Sequence, residues 1–182
     1  MAMSIEMLRR EHRNMLAVVE LTEMELAHLE RDPAADQALL RQGLDYLRHY
    51  FDQVHHPHED LIFAYVDARR CQAHKAIMSH AAGHEAIYKL GEMLDGWLDN
   101  SYPGDGPPPV EFGAVCRRYL QLQRDSLNTE EEVIFPLAEQ CLTASDWQAI
   151  AADHRVKESS SDGERITLRY GALYQFLMAT AQ

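Results

Sequence analysis

Histidine and glutamate side chains recur at four-residue spacing among apolar residues. His55 pairs in this way with Glu59, and His80 pairs with His84. Residues four apart on an α-helix lie on the same face, so each pair would direct two metal-binding groups toward one point. This spacing predicts a metal site built from helices.

Four amphipathic helices would position these groups. Four segments carry apolar residues at positions three, four and seven apart, which is typical of one buried helix face. His12 lies on the stripe of the first segment and Glu130 on the stripe of the fourth. Each stripe is interrupted by polar groups at one level. The pattern predicts a polar layer that crosses an apolar core.

A cation is expected in that layer. A single histidine on an apolar face, such as His12 taken alone, is more often a hydrogen-bonded core residue than a ligand. Burying several imidazoles and carboxylates together is costly unless a cation compensates them, so their coincidence on four helices favours a metal. Mixed imidazole and carboxylate ligands suit iron or manganese, whereas the absence of nearby thiolates disfavours copper(I) and structural zinc.

Length and charge limit the classes of protein to which this chain can belong. The 182 residues are 46% hydrophobic, which suits one domain. The net charge of −12 disfavours nucleic acid and anionic membranes as partners. No apolar run reaches the roughly 18 residues of a transmembrane helix, and the N-terminal residues lack the apolar core of a signal peptide. We therefore expect a cytoplasmic protein.

Three cysteines, Cys71, Cys116 and Cys141, are far apart in the sequence and form no CxxC motif. This spacing indicates neither a disulfide framework nor a zinc-thiolate site. We expect reduced structural thiols. The alternative is a soft-metal site shared by all three.

The sequence predicts an all-α fold: an up-down-up-down four-helix bundle with a short fifth helix and a C-terminal helical extension. We assign residues 1–155 to the bundle and residues 156–182 to a helical extension of the same domain. The four bundle helices are predicted at residues 4–31, 36–69, 72–100 and 110–141.

The segments between and after the bundle helices also have sequence patterns that predict their structure. Residues 101–109 are rich in proline and glycine and predict a loop. Thr143 to Asp146 is similar to a capping box that opens a short helix ending near residue 153. Residues 157–164 predict a polar, mobile connection. Residues 165–181 predict a terminal helix that packs on the bundle or on a second subunit.

Two prolines lie inside predicted helices. Pro57 lies between His55 and Glu59, and Pro136 follows Glu130 by six residues. A proline inside a helix removes a backbone hydrogen bond and bends the helix. Pro57 either helps to aim the two ligands or simply lets a long helix bend around its core.

Four segments together resemble the hemerythrin-like, or HHE cation-binding, family. They are REHRNML, YFDQVHHPHEDLIF, SHAAGHEAI and TEEEVIFPLAE, in the family's order on four successive helices, and the resemblance covers about residues 5–155. It implies a four-helix bundle that holds a non-haem iron pair, with Glu59 and Glu130 as bridging carboxylates. The implied metal ligands are His12, His55, Glu59, His80, His84 and Glu130.

The sequence departs from this family at one position. Family members usually place a histidine four residues before the carboxylate of the fourth helix, and Ser126 stands there in this chain. One iron would lose an imidazole ligand and bind water instead. His56, His58 and Glu23 are alternative ligands. The remaining histidines are expected at the surface or supporting the ligands: His28, His49, His74 and His154.

The resemblance implies a protein that handles oxygen, peroxide or iron itself, as a sensor, carrier or store. Its expected ligand is O₂, another small diatomic molecule or peroxide, and a homodimer is compatible with the apolar C-terminal helix. One alternative is a metal-centred enzyme, such as a peroxidase-like or nitric-oxide-handling catalyst. A second is a metal-free bundle that binds partners. Sequence leaves these alternatives open.

Overall fold

Helices make up most of the chain that the structure describes. The computed structural model describes residues 4–100, 110–158 and 161–180, and these ranges contain no strand. The all-α prediction is therefore confirmed. The helices are α1 Ile5–Arg31, α2 Ala38–Tyr50, α3 His56–Arg69, α4 Gln72–Asn100, α5 Phe112–Thr129, α6 Phe135–Cys141, α7 Ala144–Glu158 and α8 Ser161–Thr180.

Local sequence signals explain several helix ends. The Ser4 hydroxyl accepts a hydrogen bond from the Met7 backbone N–H and so caps α1. Arg70 adopts a left-handed conformation with φ of 50°, which ends α3 and turns the chain into α4. The predicted capping box before α7 is confirmed, because Thr143 N–H donates to the Asp146 carboxylate at 2.8 Å and Asp146 N–H donates back to the Thr143 hydroxyl at 3.4 Å.

Two long helices are each interrupted by one π-helical turn. Residues Phe51–His55 form the first π turn, between α2 and α3, and residues Glu130–Ile134 form the second, between α5 and α6. Pro57 and Pro136 follow these turns directly. A proline has no N–H and its ring clashes with the carbonyl four residues earlier, so the wider turn accommodates it. The expectation that both prolines disturb their helices is confirmed.

A polar layer divides the core into two apolar clusters, as the interrupted stripes predict. The first apolar cluster includes Met15, Val18, Phe51, Ile87, Leu94, Leu120 and Leu127. The second apolar cluster includes Leu8, Ile62, Ala73, Ile134 and Phe135. Between the two clusters, in sequence order on each segment, lie the buried histidines and glutamates of α1, the two π turns and α3, and the half-buried His80 and His84 of α4.

The order of the two clusters alternates along the chain. Helix α1 enters through the second apolar cluster and leaves through the first, and the α2–α3 segment runs from the first to the second. Helix α4 repeats the order of α1, and the α5–α6 segment repeats that of α2–α3. Successive antiparallel helices require this alternation, so the polar layer is crossed four times at one level.

The C-terminal helices cover the bundle. Helix α7 packs on α3 and ends at residue 158, so it is longer than the short helix expected to end near residue 153. The connection expected at 157–164 is helical in its described part, whereas residues 159–160 lie outside the described residues. Its mobility stays a prediction. Helix α8 packs on α2 and α1. The division at residue 155 stays a prediction.

The expected loop at 101–109 lies outside the described residues. None of the described helices has the length and apolar character that crossing a membrane requires.

Cys71 and Cys141 form a disulfide, so the expectation of three reduced thiols is wrong. The bond joins the turn before α4 to the last residue of α6, two points 70 residues apart in sequence. Their spacing gave no signal because the bundle itself brings the two ends together. Cys116 is free and buried in the first apolar cluster, which also excludes a metal site shared by all three. Because disulfides persist mainly in oxidising compartments, the cytoplasmic location stays a prediction.

Reducing this disulfide should destabilise the protein. Closing a loop of 70 residues restricts the unfolded chain, and such cross-links contribute about 2–4 kcal/mol to the free energy of unfolding. Urea denaturation with and without reductant should show this loss in the parent. Cys71→Ala serves as the control, because it should match the reduced parent and respond no further to reductant. A parent that is insensitive to reductant would contradict the bond's structural role.

Candidate metal centre

Four buried side chains, each from a different element, form the first metal-binding group. His12 comes from α1, His55 from the first π turn, Glu59 from α3 and Glu130 from the second π turn. One donor atom of each lies within 4.8 Å of the donor atoms of the others. Their exposed fractions are 0–1%, so water compensates none of them. A buried cluster of this composition requires a positive charge.

The two histidines of the first group face each other through the same ring atom. Their Nε2 atoms lie 3.1 Å apart. The Nδ1 atom of His55 donates to the Glu11 carboxylate at 2.9 Å, and that of His12 donates to Glu131 at 2.9 Å. With a proton fixed on Nδ1, a neutral ring presents only a lone pair at Nε2. Two such lone pairs beside two carboxylates form a group that could hold a metal ion.

Glu11 is a functional candidate that the sequence pattern does not single out. Its carboxylate accepts from His55 Nδ1 and, at 3.0 Å, from His58 Nδ1. Burial raises its pKa, but the two hydrogen bonds and charges outweigh burial and lower the pKa to about 2. Glu11 is therefore ionised and fixes the orientation of His55. Its position next to His12 was the available signal, although it lies off the apolar stripe.

The buried carboxylate of Glu59 has no hydrogen-bond partner among the described residues. Neither of its oxygens accepts a hydrogen bond from any described residue, and the nearest ring atom, His55 Nε2, lies 3.5 Å from Oε1. Burial, followed by the charge of Glu130, raises the pKa of Glu59 to about 8. A buried carboxylate without hydrogen bonds is costly, and a bound cation would remove that cost.

Three residues form the second metal-binding group, and Glu130 belongs to both groups. The other members are His80 and His84 of α4, with one donor atom of each residue again within 4.8 Å of the others. Glu130 Oε1 lies 2.6 Å from His80 Nε2, while Oε2 lies 3.0 Å from His12 Nε2. The carboxylate thus directs one oxygen toward each group. This is the arrangement expected of a bridging ligand.

The pKa of Glu130 is set by its burial and by the histidines around it. Burial acts to raise its pKa, but the surrounding imidazoles of His12, His55, His80 and His84 outweigh burial and lower the pKa well below its usual value. Burial acts in the opposite direction on His55, where nearby carboxylates, led by Glu59, raise the pKa well above 6.5. In the metal-free protein, protons therefore supply part of the positive charge that a metal would bring.

Ser126 lies inside the second group. Its hydroxyl oxygen lies 3.1 Å from His84 Nε2, 3.3 Å from His80 Nε2 and 3.3 Å from Glu130 Oε1. The position that usually carries a histidine in the family therefore does face the site. A hydroxyl occupies the place of an imidazole, so the second group offers fewer strong ligands than the first.

The alternative ligands lie outside both groups. The His56 ring stacks on His84 with 4.6 Å between ring centroids, and His58 is hydrogen-bonded to Glu11. Glu23 pairs with Arg124 at 2.8 Å, away from the site, so the idea that Glu23 replaces the missing histidine is wrong. The remaining histidines lie at the surface or beside the site. His49 pairs with Asp45 and His74 pairs with Asp67, and His28 is exposed. His154 is buried, and its ring lies 4.8 Å from that of His58.

Glu11→Ala should weaken metal binding although Glu11 is not in either group. Carboxylates that orient a metal-binding histidine typically contribute about 10- to 100-fold to metal affinity. We expect a loss of this size at the first group, measured by titration with iron(II) under anaerobic conditions. Glu20→Gln, at an exposed position of the same helix, is the matched control. Parent-like affinity in Glu11→Ala would show that His55 needs no such support.

The stability of the metal-free and metal-loaded proteins should depend on pH in opposite directions. The pKa of Glu59 is about 8 in the folded state against an ordinary value of 4.5, so between these values the folded state holds a proton that the unfolded state has released. Its contribution to stability is therefore lost as pH rises, and His55 acts in the same direction above 6.5. Metal binding, by contrast, strengthens as ligands lose protons.

Thermal unfolding between about pH 6 and pH 9 measures both trends. The melting temperature of the metal-free protein should fall across this range, and the gain in melting temperature on adding iron should rise. Glu59→Gln should flatten the slope of the metal-free protein. An unchanged slope in that variant would contradict the raised pKa of Glu59.

Comparison with known proteins agrees with this geometry. A model of the hemerythrin HHE cation-binding domain family matches residues 3–138 of the 182. Searches of curated proteins and of solved structures found no significant match. The match covers well over half of the chain and all residues of both groups. The chain belongs to the hemerythrin HHE cation-binding domain family.

Proposed function

We propose that the chain binds two non-haem iron ions, one in each group, and handles O₂, another small diatomic molecule or peroxide as a carrier or sensor. His12, His55, Glu59 and Glu130 would hold the first ion, and His80, His84 and Glu130 the second. Storage of iron itself is the remaining variant of this function. Family membership supports metal binding, typically of iron.

The position of Glu130 is the observation that carries the proposal. Its two oxygens lie against histidines of different groups, and the carboxylate is 1% exposed. Four imidazoles around one buried carboxylate exceed what a structural hydrogen-bond network needs. A pair of cations that share the carboxylate would satisfy every donor in both groups.

The second group also supports iron by its composition. Two histidines and one carboxylate with open positions are typical of non-haem iron(II) sites. Burial lowers the pKa of His84 and so keeps the ring in the neutral form that binds metal. Bound iron would supply redox chemistry and free positions for small ligands. Manganese shares these ligand preferences and is the alternative ion.

A metal-centred enzyme is the second candidate function, and the surroundings of the second group favour it. A cavity of about 420 Å³ lies between α4 and α5, and its wall includes His80, Ser126 and Gly83. Apart from the local α4 backbone, no atom of the described residues lies within 4 Å of a Cβ built at Gly83, so this wall of the cavity is open. A metal there would be accessible to substrate, whereas the first group is closed.

Titration of the metal-free protein with iron(II), together with elemental analysis, tests the proposal. We expect two ions with unequal affinity, because the first group has four strong ligands and the second has three. His55→Ala should lose the tighter ion. Ser126→His should tighten the weaker ion, since the added imidazole would face His80 and His84, and Ser126→Ala is the matched control. Absence of bound iron in the parent would overturn the proposal. Iron binding that is unchanged in both His55→Ala and Ser126→His would overturn it too.

A further inference from the structure

The Cys71–Cys141 disulfide joins the two segments that supply the second metal-binding group. Cys71 lies directly before α4, the helix that carries both histidines of this group. Cys141 is the last residue of α6, which follows the π turn that begins with Glu130. The other residues of the first group lie on α1, the first π turn and α3, and none of these elements contains a cysteine. The cross-link therefore relates most directly to the second group.

The first half of α4 packs loosely on the bundle. Ala73 and Ile87 are buried, but none of the described residues between them is. Ile77 is half-buried against the second apolar cluster, and only the local α4 backbone lies within 4 Å of a Cβ built at Gly83. Segments with few buried apolar contacts open locally with little free energy. Both histidines of the second group lie in this loosely packed segment.

The elements that face this segment are packed independently of the disulfide. Phe135 and Ala138 of α6 are 0% exposed, so the core holds α6 in place. Helix α3 ends just before the disulfide, but Val66 anchors it at 0% exposure and α7 packs against it. Loss of the cross-link would therefore loosen α4 and leave α3 and α6 where they are.

Polar contacts inside the second group also attach α4 to the bundle. His80 Nε2 lies 2.6 Å from Glu130 Oε1, and His84 Nε2 lies 3.1 Å from the Ser126 hydroxyl oxygen. These contacts require α4 to lie close to the second π turn. The disulfide fixes the point at which α4 begins relative to α6, so it supports the same placement.

A reductant can reach the disulfide. Cys71 and Cys141 are half-buried at the edge of the second apolar cluster, whereas the free Cys116 is fully buried. Exposed disulfides are more readily reduced by thiol–disulfide exchange than buried ones. In this exchange a dithiol is oxidised to a disulfide and gives two electrons and two protons to the protein disulfide, which becomes two thiols.

We propose that the Cys71–Cys141 disulfide is a redox clamp on the second metal-binding group. Reduction by a dithiol frees the start of α4, so His80 and His84 are no longer held against Glu130 and the group binds its ion less tightly. The first group keeps its affinity. The proposal deepens the proposed function by assigning redox regulation to the second group, and its statement about metal affinity rests on that function.

Hydrogen exchange of the metal-free protein tests the clamp without any metal. Backbone amides of residues 74–86 should exchange about tenfold faster in the reduced parent than in oxidised Leu26→Ala. Leu26 is 2% exposed in the first apolar cluster, so this variant loses global stability by a comparable amount while its disulfide stays intact. Amides around the buried Leu120 of α5 should exchange at similar rates in both samples. Equal rates for residues 74–86 would overturn the proposal, because reduction would then act only through global stability.

Anaerobic titration with iron(II), after the reductant has been removed, tests the effect on the metal. The reduced parent should bind the weaker ion about 10- to 100-fold less tightly, the usual contribution of groups that orient metal ligands, and should keep its affinity for the tighter ion. Reoxidation should restore the affinity. Cys71→Ala combined with Cys141→Ala should match the reduced parent and has no thiols at these positions to bind iron. Oxidised Leu26→Ala is the matched control and should keep both affinities.

The two measurements separate this proposal from the proposed function. A parent that binds two irons, with both weakened alike by reduction or neither weakened, overturns the clamp alone. A parent that binds no iron in either redox state overturns the proposed function, and the exchange rates of residues 74–86 then decide whether the disulfide holds α4.

Discussion

The buried carboxylate of Glu130 is the constraint on which the rest of the structure depends. It lies between imidazoles of α1, the first π turn and α4, at the level where both apolar clusters end. Such a group is stable in a protein interior only if positive charge surrounds it. Protons on His55 and Glu59 provide part of that charge in the metal-free chain. Metal binding to this layer would therefore release these protons, which couples metal binding to pH and to folding.

The two π turns are the backbone's contribution to this layer. His55 is the last residue of the first π turn and Glu130 is the first residue of the second. A π turn inserts one residue into a helix and so rotates the side chains on either side of it relative to each other, and such turns are frequent at functional sites. Here, each is followed by a proline that prevents the regular α-helical alternative. The prolines thus act together with the ligands, since they fix the register in which His55 and Glu130 point inward.

Much of the fold and part of the site could be predicted from sequence because both depend on helical periodicity. The stripes placed His12 and Glu130 at one level, and they also predicted a polar layer between apolar halves. Contacts between side chains of different helices leave no periodic pattern in the sequence. Glu11 supports a histidine of another helix, and the Cys71–Cys141 disulfide joins residues that only the finished bundle brings together. Helix periodicity says which face a residue occupies and nothing about its partner across the core.

The two groups differ in a way that follows from single residues. The first has four buried residues that could hold a metal, and carboxylates fix both of its histidines, so its geometry is set before any ion binds. The second has Ser126 in place of an imidazole and borders two cavities that both include Ile87 in their walls. A preorganised, closed group retains a metal, whereas an incomplete and accessible group can exchange ligands. Under the proposed function, a division of roles between retaining an ion and admitting a ligand would follow from Ser126 on α5, without any change in the bundle that supports both groups.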